Sequence, residues 1–290
     1  MRRPLTALAL VAAVLGVALV TYRGSQGGHG GPGLRVLTVG DLSTFRLPLD
    51  SYRLTRAEAA TVSLARNHLF VGCMRRFGFH LELPSGGPVP VVGNDNRYGV
   101  HDEGQAGRHG YHPVRPVAQA REPSLSPAAE AVADGSGPPS YRGHRVPAGG
   151  CLGHALRTLN KGGPVPADPG LAERLALESY VRTSEAGPML AVFASWSTCM
   201  RRAGFDYPDP RRANNDPAFR TRRPTSREVA TAVTDARCKR EVDLVDRWAT
   251  VETAYQRQQV ARYGPELEVL ARALQTRVRN ASRVTGSALR

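Results

Sequence analysis

One seven-residue element occurs twice in this chain. Cys73-Met-Arg-Arg-Phe-Gly-Phe79 and Cys199-Met-Arg-Arg-Ala-Gly-Phe205 agree at six of seven positions, which points to two related units. Each copy ends an apolar-periodic stretch, and each is followed by a Pro-rich connection that leads to a further cysteine, Cys151 or Cys238. Four cysteines allow three pairings. The repeat favours Cys73 with Cys151 and Cys199 with Cys238, because each bridge then ties the first helix of a unit to its second. Loop closure makes each such bridge worth about 3–4 kcal/mol.

Local signals around the repeat predict a mainly α fold with long Gly/Pro-rich loops, built as two helix-loop-helix halves. Thr55-Arg-Ala-Glu58 has the spacing of a capping box, predicting a helix from Thr55 to Phe77 that stops at Gly78. A short helix is expected over Cys151–Leu159, and further helices over Leu171–Thr183 and Met189–Ala203, with Gly187-Pro188 as the break between the last two. A second capping box, Thr225-Ser-Arg-Glu228, predicts one long helix to Tyr263, and Glu266 to Val278 continues after Gly264-Pro265. Between them lie two connections, His80–Gly150 and Asp206–Pro224. Short apolar pieces such as Val89 to Val92 leave room for a hairpin in the first. Residues 51–165 thus form one unit and 166–290 the other.

The remaining N-terminal residues read as an address. Arg2 and Arg3 precede an apolar run from Leu5 to Val20, the n-region and h-region of an export signal. The run is near the lower limit for spanning a bilayer and longer than a common h-region, so residues 1–23 are either a cleavable signal or a membrane anchor. Positive charge before the run keeps that end inside, placing the rest of the chain outside the cytoplasm. Four cysteines suit that oxidising location. Residues 24–50 begin with a Gly-rich stretch and are expected to be a flexible linker.

The composition narrows the partners. Lys+Arg number 39 against 25 Asp+Glu, a formal charge of +14, with lysine only at Lys161 and Lys239. Such a surface attracts polyanions. For an exported chain these are anionic cell-wall polymer or lipid headgroups rather than nucleic acid, with another envelope protein as a third partner. Arg201, Arg202, Arg211, Arg212, Arg220, Arg222 and Arg223 gather around the second connection, and Arg211, Arg212, Arg220, Arg222 and Arg223 are the candidate anion-binding residues.

Catalytic signals are weak. His101, His109 and His112, with Asp102 and Glu103, are the densest potential metal ligands, but a Gly-rich loop holds them and surface histidines are the better reading. Glu228, Asp235, Glu241, Asp243, Asp246 and Glu252 read as a solvated, charge-laced helix face. No nucleophile elbow, zincin motif, phosphate loop, zinc ribbon, Cys-x-x-Cys pair or cofactor motif is present.

Cys73 to Phe79, Arg97-Tyr98-Gly99, Tyr111-His112, Cys199 to Tyr207 and Asp235-Ala-Arg-Cys-Lys239 together resemble uncharacterised envelope proteins of actinobacteria with paired Cys-Met-x-x-x-Gly-Phe/Tyr elements. The resemblance covers roughly residues 50–265. It departs from lipid-anchored members in having no cysteine after the apolar run, and it implies an architecture without an activity. The expectation is a non-enzymatic binding or structural protein of the envelope. The alternative is an envelope hydrolase whose acid and base meet only in the fold, for example His112 or His154 near Asp235 or Glu58.

Overall fold

Both capping boxes form as spelled. The Thr55 hydroxyl accepts from the Glu58 amide at 3.3 Å while the Glu58 carboxylate accepts from the Thr55 amide at 2.8 Å, opening α1 (Arg56–Arg76). Thr225 and Glu228 repeat the exchange at the start of α8 (Ser226–Glu241). These are reciprocal bonds over three residues, so they need nothing from the rest of the chain. The computed structural model describes residues 35–82, 93–113 and 124–286. The apolar run at 5–20 and the apolar piece at 89–92 lie outside the described residues.

The repeated element is a helix stop joined to a staple. At the first copy the Gly78 amide bonds the Arg75 carbonyl at 2.9 Å and the Phe79 amide bonds the Met74 carbonyl at 3.1 Å. The second copy does the same, Gly204 to Arg201 and Phe205 to Met200, both at 3.0 Å. This pair of bonds satisfies the last carbonyls of a helix and needs a left-handed residue after its end. Gly78 and Gly204 supply it with φ of 82° and 86°. Met74 and Met200 are fully buried one turn before the stop, and the cysteine beside each faces the same core.

Cys73 is bonded to Cys151 and Cys199 to Cys238. The first bridge joins α1 to α4 (Gly150–Asn160), and the second joins α6 (Gly187–Arg202) to α8. Around the second bridge lies the main core, where Trp196, Met200, Leu244 and Trp248 are buried. The Trp248 ring meets Tyr180 at 5.0 Å, Phe193 at 5.1 Å and Tyr98 at 5.3 Å. A smaller cluster surrounds the first bridge, with Phe70, Met74, Phe77 and Val132 inside.

Several sequence expectations are corrected. The long helix from Thr225 to Tyr263 is two helices, α8 and α9 (Leu244–Arg262), because the chain turns at Asp243 with a φ of 51°. Aspartate tolerates this conformation better than most residues. The turn lets Leu244, Trp248 and Ala249 enter the core that α8 already lines. The first connection is not only loop: it carries α2 (Glu103–His109), α3 (Pro127–Asp134) and a two-stranded hairpin, β1 (Ser140–Tyr141) with β2 (His144–Arg145). The second carries α7 (Pro210–Asn214) and a 3-10 turn at Pro217–Phe219. Gly187-Pro188 begins α6 after α5 (Leu171–Ser184), and Gly264-Pro265 begins α10 (Gly264–Thr285), since proline fits the first turn of a helix.

The linker expectation fails for residues 35–50. Leu42, Leu47 and Leu49 are buried there, and the Leu37 and Val39 amides bond Thr250 at 2.8 Å and Asp246 at 2.9 Å. Burying each leucine is worth about 1.5–3 kcal/mol, enough to hold the segment against α9. The rest of the linker, 24–34, lies outside the described residues. No domain boundary falls at 165. Residues 35–290 form one unit, in which α10 packs on both α1 and α4 and so closes the first half with the end of the second.

Candidate functional site

Three carboxylates expected on a solvated face are buried instead. Glu228, Asp235 and Glu252 are each at 0% exposure, the first two on α8 and the third on α9. Glu228 and Asp235 are seven residues apart and Lys239 four further on, a spacing that puts all three on one side of α8. Each has at least one partner from residues 97–112, across more than a hundred positions of sequence. A buried charge survives only when paired and hydrogen-bonded. All three are.

Glu252 is held by Arg97 and Tyr98. Arg97 Nε lies 3.0 and 2.9 Å from the two carboxylate oxygens, Nη2 donates to one of them and also to the Ala176 carbonyl at 2.8 Å, and the Tyr98 hydroxyl donates at 3.0 Å. Gln256 Nε2 donates to the same carboxylate at 3.0 Å, and Gln256 Oε1 accepts from the Leu49 amide at 3.0 Å. Burial, and then the neighbouring Glu252 charge, push the Tyr98 phenol far above its ordinary range, so it acts as a fixed donor.

Asp235 and Lys239 form a second closed set. The ammonium donates to Asp235 Oδ2 at 3.0 Å and to the Val100 carbonyl at 2.8 Å; Trp196 Nε1 donates to Oδ1 at 2.9 Å, and the Tyr111 hydroxyl to Oδ2 at 3.2 Å. Burial pushes the Asp235 carboxyl up, opposed by Lys239 and by its hydrogen-bond donors. Gly99 permits this approach. Its φ is 78°, and a Cβ there would stand 2.9 Å from Lys239 Nζ. The Arg97-Tyr98-Gly99 and Asp235-to-Lys239 motifs are therefore two sides of one polar scaffold.

His112 completes the row. Its Nδ1 lies 2.8 Å from Glu228 Oε1 and its Nε2 2.8 Å from the Thr221 carbonyl. Both partners accept, so the imidazolium, with hydrogen on both nitrogens, is the form that satisfies both bonds. The Thr221 carbonyl, and then Glu228, raise its pKa above the ordinary histidine value. Because the folded value lies above the unfolded one of about 6.5, this stabilisation is complete below that pH and is lost as pH rises through the folded value. Wild type is expected to exceed His112→Gln in stability more at pH 6 than at pH 9, measured by urea denaturation. An equal gap at both would refute the clamp.

Above this row opens a cleft of about 260 Å³. Arg97, Gly99, Tyr111, His112 and Tyr180 line one part, and Arg211 with Asn214 and Asn215 of the α7 region another. Of the expected anion-binding residues, Arg211 lines the cleft, with Nε 3.4 Å from Asp209 and Nη1 donating to Ser184 at 2.9 Å. Arg212, Arg220, Arg222 and Arg223 are exposed on the surrounding connection, without an ion-pair partner among the described residues.

The other expected groups do not converge. Asp102 caps α2, Glu103 pairs with Arg240 at 2.5 Å, and His101 lies against the Gly99 carbonyl at 3.3 Å. Among the described residues no group of three or more His, Cys, Asp or Glu side chains could hold a metal. His154 is on α4 and Glu58 caps α1, so neither joins Asp235, and His112 has both nitrogens engaged. Arg97 and Glu252 carried no sign of partnership in spacing; only the family-like Arg-Tyr-Gly segment marked the former.

Fold and site define a mainly helical, disulfide-braced protein with a polar cleft over a row of buried ion pairs. Comparison with known families, curated proteins and solved structures finds no match. No helix among the described residues is long and apolar enough to cross a membrane. The two disulfides are compatible with an extracytoplasmic location.

Proposed function

We propose that this protein is an extracytoplasmic, non-enzymatic binding module of the cell envelope. The observation that carries the reading is the division of labour in the cleft: the buried acids and His112 are held by protein partners, while the lining side chains of Asn96, Gln105 and Asn214 make no hydrogen bond among the described residues. General acid–base chemistry needs a group free to gain or lose a proton toward substrate. Glu228, Asp235 and Glu252 are tied into the scaffold instead. The exposed arginines of 212–223 supply an outer contact for anionic wall polymer, and the apolar run at 5–20 would deliver the chain, as signal or anchor.

Sedimentation of the purified chain from residue 35 onward with cell wall at physiological salt tests this, with vesicles of anionic lipid in parallel. Retention on the wall that falls as salt rises is expected. Protein that stays in the supernatant with both would overturn the proposal.

A further inference from the structure

We infer that the cleft holds one neutral sugar residue of an envelope glycan; this deepens the binding-module reading and rests on it. The first ground is charge. Two guanidiniums line the cleft, yet Glu252 lies against Arg97 and Asp209 against Arg211, so neither presents an uncompensated charge. A small anion would meet a carboxylate behind each arginine. What remains is directional: Arg97 Nη1 and Arg211 Nη2 have no hydrogen-bond partner among the described residues, each an N–H fork already fixed by its other bonds.

The second ground is the rest of the lining. The side chains of Asn96, Gln105 and Asn214 make no hydrogen bond among the described residues, and neither does the Tyr180 hydroxyl. Each amide offers two donors and an acceptor. A ligand that both donates and accepts at several adjacent positions satisfies such a set, and a ring of hydroxyls does so. Tyr111 and Tyr180 also border the cleft, Tyr111 stacked on Phe219 and Tyr180 on Trp248 with Arg97 over its ring, so the lining is fixed in place before a ligand arrives. Size agrees, since about 260 Å³ lies below the roughly 300–1,000 Å³ of clefts for drug-sized ligands and accommodates one ring rather than a chain.

Saturation-transfer NMR and calorimetry with N,N′-diacetylchitobiose and maltose as neutral probes, and citrate and inorganic phosphate as anionic ones, test the inference. Saturable binding of at least one sugar is expected, weakened about tenfold or more by Gln105→Ala with Asn214→Ala, whose side chains make no hydrogen bond among the described residues (about 1.4 kcal/mol per tenfold). Citrate or phosphate binding more tightly than both sugars would overturn it, as would no sugar binding or sugar binding unchanged in the double variant. The two readings fail separately. Wall retention without sugar binding sinks the cleft inference alone, and sugar binding without wall retention sinks the envelope reading alone.

Discussion

Replacing Lys239 with methionine is expected to lower the unfolding free energy by about 3–5 kcal/mol, the cost of leaving a buried carboxylate without its counter-charge. The side chain is 1% exposed and Asp235 is 0% exposed, so no water can take the ammonium's place. The Val100 carbonyl would also lose its donor. Asp235→Asn added to Lys239→Met removes the stranded charge, with the amide oxygen accepting from Trp196 and the amide nitrogen donating to the Tyr111 hydroxyl, and should recover about half of the loss. Urea denaturation followed by tryptophan fluorescence reads both, because Trp196 and Trp248 lie in this core. A loss below about 1 kcal/mol in the single variant would mean that the pair is neutral to stability.

Removing the disulfides one at a time, as Cys73→Ala with Cys151→Ala and Cys199→Ala with Cys238→Ala, should separate the two clusters. The bridged cysteines are 78 and 39 residues apart, for which loop closure gives about 4.5 and about 4 kcal/mol. The larger loss is therefore expected at Cys73–Cys151. The difference in local effect should be greater still. That bridge anchors a cluster of few buried side chains, whereas Cys199–Cys238 adjoins the tryptophan core. Hydrogen exchange should show α3 and α4 opening below the global transition in the first variant while α9 stays protected. Uniform protection across both regions would contradict this division.

The capping boxes at Thr55 and Thr225 and the stops at Gly78 and Gly204 were legible because each is a closed exchange of bonds over three to five residues. The repeat was legible as a helix end for the same reason. The buried row was not. Glu228, Asp235 and Glu252 have neighbours on their own helices that look like those of any solvated face, and nothing local distinguishes them from Glu241, which is exposed. Segment 35–50 is illegible for the same reason, since Leu49 finds its core on α5 and α10 and Leu42 finds its own on α6 and α9, more than a hundred positions away.

The repeated Cys-Met-Arg-Arg-x-Gly-Phe element, then, determined by itself where two helices end and which cysteine each copy offers for bonding, since left-handed glycine and a one-turn hydrogen-bond pair are local physics. Which charges are buried, where the chain turns at Asp243, and that Arg97, His112 and Arg211 share one cleft were decided only by tertiary structure. Burial is a property of the remote chain that covers a residue, and in this protein residues 97–112 cover α8 and α9.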